Sequence, residues 1–345
     1  MGMEKTISAG AGLQLNRFCR QYLQLQLHLD YPDEEYLADG DFQAALHARL
    51  FQEDAIQHPP PQRYQLRVLK ELTKRIQSSI TDWEEQGLSD DLMNHLSTLL
   101  VSPLPSETTT AQQKSYVTYT VSSLPSVTNK IAPTISLLEA KNVIATAGTT
   151  GLRTWEAALH LGDFLCSSPE LIRGKVILDL GAGTGYLSIF CAKHLGASYV
   201  LATDGSSDVV ESLTTNIYLN DLQESHSIAA LQLRWGQVLP TDESSQTFSG
   251  RKIDVVLGAD LTYYESGIPA LLATFGDLFD LFPDVVIIIA ATVRNEKTFG
   301  TFVDACGRAG FAIKISEFGM RPKGAQMGPF YSDDVEIDLC FVQKA

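Results

Sequence analysis

The chain has 345 residues, a formal net charge of −15 and 44% hydrophobic residues. This length suggests about two domains, and the apolar content excludes a mostly disordered chain. Residues 1–145 carry −5 and the remainder −10, so neither part is a basic module suited to neutralising nucleic-acid phosphates. A cationic partner such as a lysine side chain or a basic protein surface suits this field. The longest apolar run, Val285 to Val293, is about half the ~20 residues of a membrane helix and reads as a buried strand, so no membrane partner is expected. The N-terminus lacks a basic patch followed by an apolar core, so no secretory signal is expected. Cys19, Cys166, Cys191, Cys306 and Cys340 are scattered, with no C-x-x-C pair. Neither a disulfide scaffold nor a metal site is expected, and a reducing, cytoplasmic compartment follows.

In chain order, residues 13–29 carry apolar groups at helical spacing. Residues 41–57 read as a second helix with Asp41 as its N-cap, stopped by Pro59-Pro60-Pro61. A third helix is expected from Arg63 to Glu85, where Tyr64, Leu66, Leu69, Leu72, Ile76 and Ile80 form an apolar stripe, and a fourth over 89–101. Between Ser102 and Thr128, 12 of 27 residues are Ser or Thr and three are Pro, the composition of a linker. Within it Tyr116–Val121 has strand propensity, and Ile135–Ile144 supplies a second strand, so a β-hairpin is expected at this junction. From residue 150 onward, apolar runs at 175–180, 199–203, 229–234, 253–258, 285–291, 311–316 and 336–342 alternate with helices near 186–195, 208–220, 267–281 and 297–309. Strands apolar on both faces imply a mostly parallel sheet covered by helices, with the last run an antiparallel edge strand. The expected organisation is a helical region over 1–101, a linker and hairpin over 102–145, and an α/β domain over 146–345.

Chemistry concentrates at the ends of the expected strands. Residues 177–188, ILDLGAGTGYLS, run from a strand through a glycine turn into a helix. Such a turn admits a ligand close to the backbone and aims helix N–H groups at it. The dinucleotide pattern G-x-G-x-x-G fails, because Tyr186 stands where its third glycine belongs. The turn Gly181-Ala182-Gly183-Thr184-Gly185, with Asp179 before it, resembles that of enzymes using S-adenosylmethionine. Asp204 follows Gly185 by 19 residues, at the end of the second strand. There a carboxylate either accepts both ribose hydroxyls of an adenosine cofactor or caps the helix near Asp208. Trp235, in LRWG, either covers an adenine plane or packs in the core. Ala259 and Asp260 end the fourth strand, where ligands of open α/β sheets bind. Asp260-Leu261-Thr262-Tyr263 has the D-x-x-Y spacing of amine-methylating enzymes. It lacks the Pro-Pro that suits a flat base, which favours a flexible aliphatic amine over an adenine; Asp260 as a simple N-cap is the alternative. In the segment Gly151-Leu152-Arg153-Thr154-Trp155-Glu156, a helix start would place Trp155 over the cofactor mouth, with Glu156 pairing with Arg153 or stabilising the helix start.

GTTGLRTWEAA, LDLGAGTG, Asp204, LRWG and GADLTYY occur in an order and spacing that resembles the seven-strand protein-lysine methyltransferase family. The N-terminal LHARLFQ and PPPQRYQLRVLKELTKRI are similar to the helical extension of its members that act on translation elongation factor 2. The resemblance implies a Rossmann-like methyltransferase fold, S-adenosylmethionine as cofactor and a protein partner, elongation factor 2. A monomer is expected. The resemblance also implies cofactor contacts at Trp155, Gly181, Ala182, Gly183, Asp204, Trp235 and Ala259, with Asp260 and Tyr263 on the substrate side; the reading of the glycine turn adds Asp179 and Gly185 to the expected cofactor contacts. The helical region is expected to recognise the folded substrate. Against this stand a small-molecule amine methyltransferase, a nicotinamide oxidoreductase and a non-catalytic protein that keeps the cofactor.

Overall fold

The computed structural model describes residues 7–104, 113–124, 132–140, 150–237 and 250–345. The chain divides into two compact units: Met1–Thr120 with Met327–Phe330, and Val121–Gln326 with Tyr331–Ala345. Residues 105–112 and 125–128 of the Ser/Thr-rich linker, the turn of the expected hairpin and the expected strand residues 141–144 lie outside the described residues.

The first unit contains α1 (Ala9–Leu23), α2 (Glu34–Leu37), α3 (Gly40–Leu50), α4 (Gln62–Ser79), α5 (Asp90–Val101) and the strand β1 (Ser115–Thr120). The cap of α3 is Asp39 and not Asp41: the helix begins one residue earlier, and Asp39 Oδ1 accepts the N–H groups of Asp41 (2.7 Å) and Phe42 (3.1 Å). Asp41 sits in the first turn, where its charge meets the positive end of the helix dipole. Pro61 stands at the N-cap of α4, whose apolar stripe buries Val68, Leu69, Leu72 and Ile76. These pack with Phe18, Tyr22, Phe42 and Leu46 in a core of the unit's own. Each such side chain contributes roughly 1.5–3 kcal/mol on leaving water.

The second unit opens with β2 (Thr134–Glu139) and α6 (Glu156–Ser167). The sheet strands are β3 (Val176–Leu180), β4 (Tyr199–Asp204), β5 (Ile228–Gln232), β6 (Val255–Ala259), β7 (Val286–Thr292), β8 (Phe311–Ile315) and β9 (Ile337–Lys344). Between them run α7 (Tyr186–Lys193), α8 (Ser207–Leu219), α9 (Ile268–Leu281) and α10 (Glu296–Arg308). The seven strands lie in the order β5-β4-β3-β6-β7-β9-β8, parallel except for β9, which is antiparallel to both neighbours.

One expectation fails here: β9 is antiparallel but is not the edge. It inserts between β7 and β8, which leaves β8 outermost. Burial explains the choice. Ile337, Leu339, Cys340 and Val342 of β9 are all buried, whereas β8 exposes three of its five residues and tolerates an open edge.

The strand order reverses at β3, which lies between β4 and β6. Chains leaving β3 and β6 therefore diverge and open a crevice beyond their carboxyl ends. Register keeps the two ends level, with Asp179 opposite Leu257 and Leu180 opposite Gly258. Strand β2 is tied to α8 by side-chain amides: Asn216 Oδ1 accepts the N–H of Leu138 (2.8 Å), and Asn220 bonds both the N–H and the carbonyl of Ser136.

Candidate active site

The crevice is a cavity of about 520 Å³ inside the second unit, within the range of small-molecule and cofactor sites. Its wall contains Trp155, Asp179, Gly181, Ala182, Gly183, Asp204, Trp235, Ala259, Asp260 and Tyr263. Candidate residues from five separate segments of sequence thus meet at one place. Gly185 does not line it. With φ +87° it forms the left-handed entry to α7, and a Cβ there would lie 2.2 Å from Leu213 Cδ1. Its role is to let the turn close onto α8.

The glycine turn is built for close approach. Gly183 has φ +55°, and a Cβ on it would stand 3.2 Å from the carbonyl oxygen of Gly151. The turn is fixed from behind by side chains distant in sequence. Thr184 Oγ1 lies 2.6 Å from Thr154 Oγ1, and Thr154 Oγ1 donates to the buried carboxylate of Glu139 (2.7 Å). Asn216 Nδ2 donates to the Thr184 carbonyl (2.8 Å). Sequence reasoning misses Glu139, Thr154, Thr184 and Asn216 because no local pattern connects β2, the approach to α6, the turn and α8.

Two carboxylates sit at this end. Asp179, 1% exposed, accepts from Ser188 Oγ at 2.5 Å; burial, reinforced by the nearby Asp204, pushes its carboxyl up to about 7. Asp204 accepts the N–H groups of Gly183 (3.2 Å) and Ser206 (3.1 Å), and burial raises its pKa above the usual carboxylate range. One oxygen steadies the start of α8, while the other faces the glycine turn. A carboxylate has about four acceptor sites, so capacity remains for hydroxyl donors in the cavity. Trp235 is half-buried just beyond β5, packed on the core and exposing part of its face to the cavity. A Cβ on Gly181 would come within 3.6 Å of its ring. Desolvated acceptors, a backbone cradle without side chains and a flat apolar wall together fit the adenosine part of S-adenosylmethionine.

The other end is built from paired charges. Asp260 is 7% exposed and has φ +58°, a strained conformation for a residue other than glycine. It is held there by its own N–H, which donates to Ala290 O (2.7 Å), and by its carboxylate. Oδ1 accepts the Thr292 N–H (3.3 Å) and Oδ2 the guanidinium of Arg294 (2.9 Å). Arg294 also lies 3.9 Å from Glu156, which pairs with Arg153 at 2.8 Å. Both guanidiniums lie over the Trp155 ring, at 4.8 Å for Arg153 and 5.2 Å for Arg294. Trp155 is the N-cap residue of α6 and donates its indole N–H to Thr150 O (3.0 Å). Beside it Glu156 both pairs with Arg153 and places a negative charge in the first turn of α6. Arg294 carries no signal in the sequence; only the strand order brings it to Asp260.

Leu261 and Thr262 are buried, and Leu261 packs beneath the turn, its Cδ2 2.7 Å from where a Gly181 Cβ would stand. Tyr263 and Tyr264 stay at the rim, 53% and 39% exposed, their rings 4.6 Å apart. Among the described residues no cluster of metal-binding side chains occurs, and no helix is long and apolar enough to cross a membrane.

Comparison with known proteins agrees with this geometry. The sequence profile of a family described as lysine methyltransferase matches residues 137–305. The chain is 50% identical over 331 residues to the protein-lysine N-methyltransferase EFM3 of Chaetomium thermophilum, covering 96% of this chain and 98% of that one. It is 27% identical over 334 residues to the human protein-lysine N-methyltransferase EEF2KMT, covering 89% and 91%. To the EFM3 of Saccharomyces cerevisiae it is 35% identical over 198 residues, 52% and 56% of the two chains. With identity of this degree along nearly the whole length of a relative, and a crevice to match, the chain belongs to the lysine methyltransferase family.

Proposed function

We propose that the protein substrate is translation elongation factor 2, and that the residues at the two ends of the cavity divide the work of methylating one of its lysines. The chain is an S-adenosylmethionine-dependent protein-lysine N-methyltransferase. The choice of substrate is supported by the alignment with the relative named EEF2KMT, which extends through the helical region over 89% of this chain.

When bound, S-adenosylmethionine supplies a methyl group activated by a positively charged sulfur. The chain's own residues must then hold the partners in line, a contribution that reaches ~7–11 kcal/mol of a barrier, and receive the lysine as a neutral amine. In water that amine, with a pKa near ~10.4, is protonated. Gly181, Ala182 and Gly183 would cradle the nucleoside, Asp204 would accept its ribose hydroxyls and Trp235 would flank its base. Asp179 would help to order the turn through Ser188. Ala259 and Asp260 border the transfer end, where Asp260 would orient the amine by its carboxylate or by the adjacent backbone carbonyl. Tyr263 and Trp155 would wall the lysine's approach. The observation that carries this division is the gathering of ten dispersed residues on one cavity wall.

The decisive test is incubation of the chain with labelled S-adenosylmethionine and purified elongation factor 2, and in parallel with a cytosolic extract, followed by mass spectrometry. Label on a lysine of the factor is expected; label confined to another protein of a cytosolic extract would overturn the substrate. The helical region, none of whose described residues lines the cavity, is proposed to recognise the folded substrate. Trp83, exposed by 63%, is the probe. Trp83→Ala should raise KM for the protein several-fold and leave cofactor affinity unchanged; an unaltered KM in this and in Leu27→Asp, at another exposed position, would place recognition elsewhere.

A further inference from the structure

The Asp260 carboxylate is not an open anion waiting for an amine. One oxygen accepts a backbone N–H and the other is paired with Arg294 at 2.9 Å. The pair is buried on the carboxylate side only: Asp260 is 7% exposed, whereas the Arg294 side chain is 43% exposed and is steered from two sides. Its guanidinium lies over the Trp155 ring and 3.9 Å from Glu156. Its backbone leaves β7 in a tight turn, with the Arg294 N–H donating to Thr292 O at 3.0 Å and the Val293 N–H to Glu336 O at 2.8 Å.

An unpaired carboxylate at the transfer end would oppose the reaction. It would attract the ammonium form of lysine and raise the pKa of the bound amine, because an opposite charge within ~4–6 Å favours the charged form. The ammonium has no lone pair and cannot take a methyl group. A cation locked on the carboxylate cancels this attraction while leaving lone pairs to orient a neutral N–H. We infer that Arg294 is a positioning residue that neutralises Asp260, so that the site admits the substrate lysine as a free amine rather than trapping it as an ammonium. This rests on the lysine-methylation reading above.

Few other charged or titratable groups surround the pair. Glu156 and Arg153 face it from α6 and the segment before it, largely offsetting each other through their own ion pair. Tyr263 and Tyr264 come from the segment after β6, and Asp179 lies deeper in the same cavity. Glu336 and Asp338 belong to β9 and the residue before it, beside the end of β7, with Asp338 paired to Ala291 in the ladder. Of these side chains, only the guanidinium of Arg294 is within ion-pair distance of Asp260 among the described residues.

The test compares the full-length chain with Arg294→Met and Arg294→Lys, using purified elongation factor 2 and S-adenosylmethionine from pH 6.5 to 10. Removing the cation should move the pH of half-maximal kcat upward by about one to two units. At pH 7.5 kcat then falls ~3- to 30-fold, the deficit closing towards pH 10, while KM for the protein stays equal or falls. Arg294→Lys, which keeps a cation, should restore the wild-type midpoint. A second readout needs no turnover. Calorimetry of elongation factor 2 binding to the chain saturated with S-adenosylhomocysteine, in buffers of different ionisation heat, counts protons released. Wild type should release about one proton per lysine bound at pH 8 and Arg294→Met distinctly fewer. A kcat lowered equally at every pH, with proton release unchanged, would reduce Arg294 to a structural prop and overturn the inference. Absence of any transfer by the wild-type chain would instead overturn the substrate on which it rests.

Discussion

The two ends of the cavity solve opposite electrostatic problems. At the glycine turn, Asp179 is buried and Asp204 half-buried, with hydroxyl and N–H donors but no cationic partner among the described residues, and both have carboxyl groups raised by desolvation. At the far end, Asp260 is also buried but is paired with a guanidinium. The first arrangement suits hydroxyl donors, which relieve a desolvated acceptor without adding charge. The second suits an amine that has to arrive without its proton. A carboxylate is used at both ends, and its neighbours decide what it is for.

The comparison breaks most visibly at Asp260. Asp260→Asn keeps a side chain that tolerates the left-handed backbone but removes the charge. It should lower kcat by ~100-fold, the size typical of one positioned polar group in a transfer site, with S-adenosylmethionine affinity held within a few-fold. Normal kcat in a variant that still binds the cofactor would remove Asp260 from the reaction. The mirror experiment is Asp204→Ala, which should spare the transfer end. Loss of hydrogen bonds to a charged acceptor, each ~1.5–3 kcal/mol, predicts a Kd for S-adenosylmethionine raised at least ~10-fold, measured by calorimetry. An unchanged Kd would leave Asp204 as no more than a helix cap.

A smaller effect separates two glycines of one turn. Gly185→Ala drives a methyl group to 2.2 Å from Leu213 Cδ1 and forces φ +87° on a residue with a Cβ. Overpacking and left-handed strain together predict a stability loss of ~2–4 kcal/mol in denaturant unfolding, with affinity affected only through folding. Gly183→Ala faces a backbone oxygen at 3.2 Å and the cavity itself, so its loss should appear first in cofactor affinity. Equal behaviour of the two variants would erase the distinction between a wall residue and a packing residue.

Local and long-range contributions to the two ends also differ in how far the sequence reveals them. The glycine turn is legible because a strand, a left-handed turn and a helix must follow one another within about a dozen residues, and each leaves its mark on local sequence. Asp204 and Asp260 are legible because strand ends can be placed from apolar runs. Strand order is not written in any single run. Hence β9, last in the chain, reads as an edge, and Arg294, 34 residues after Asp260, stays out of sight although it completes the site. Glu139 and Thr154 are hidden for the same reason: their partners belong to other elements. The helix cap fails by a narrower margin, since Asp39 and Asp41 both qualify by type and only the first helical residue decides between them.

The smallest predicted effect tests whether the glycine-turn end is truly the unpaired one. Asp179 holds its proton up to about 7 in the folded chain, against 3.8 for an ordinary aspartate. The folded state therefore binds more protons than the unfolded state between these values, and stability falls as pH rises through that window. The contribution is fully present below about pH 4 and lost once pH exceeds about 7. Asp179→Asn cannot titrate and still offers Ser188 an acceptor oxygen. Relative to wild type it should therefore unfold at a similar temperature at pH 4 but a few degrees higher at pH 8, measured without cofactor. A lower melting temperature for the Asn variant at pH 8 would mean that a donor in the turn favours the ionised carboxylate, and the contrast with the Arg294-paired Asp260 would collapse.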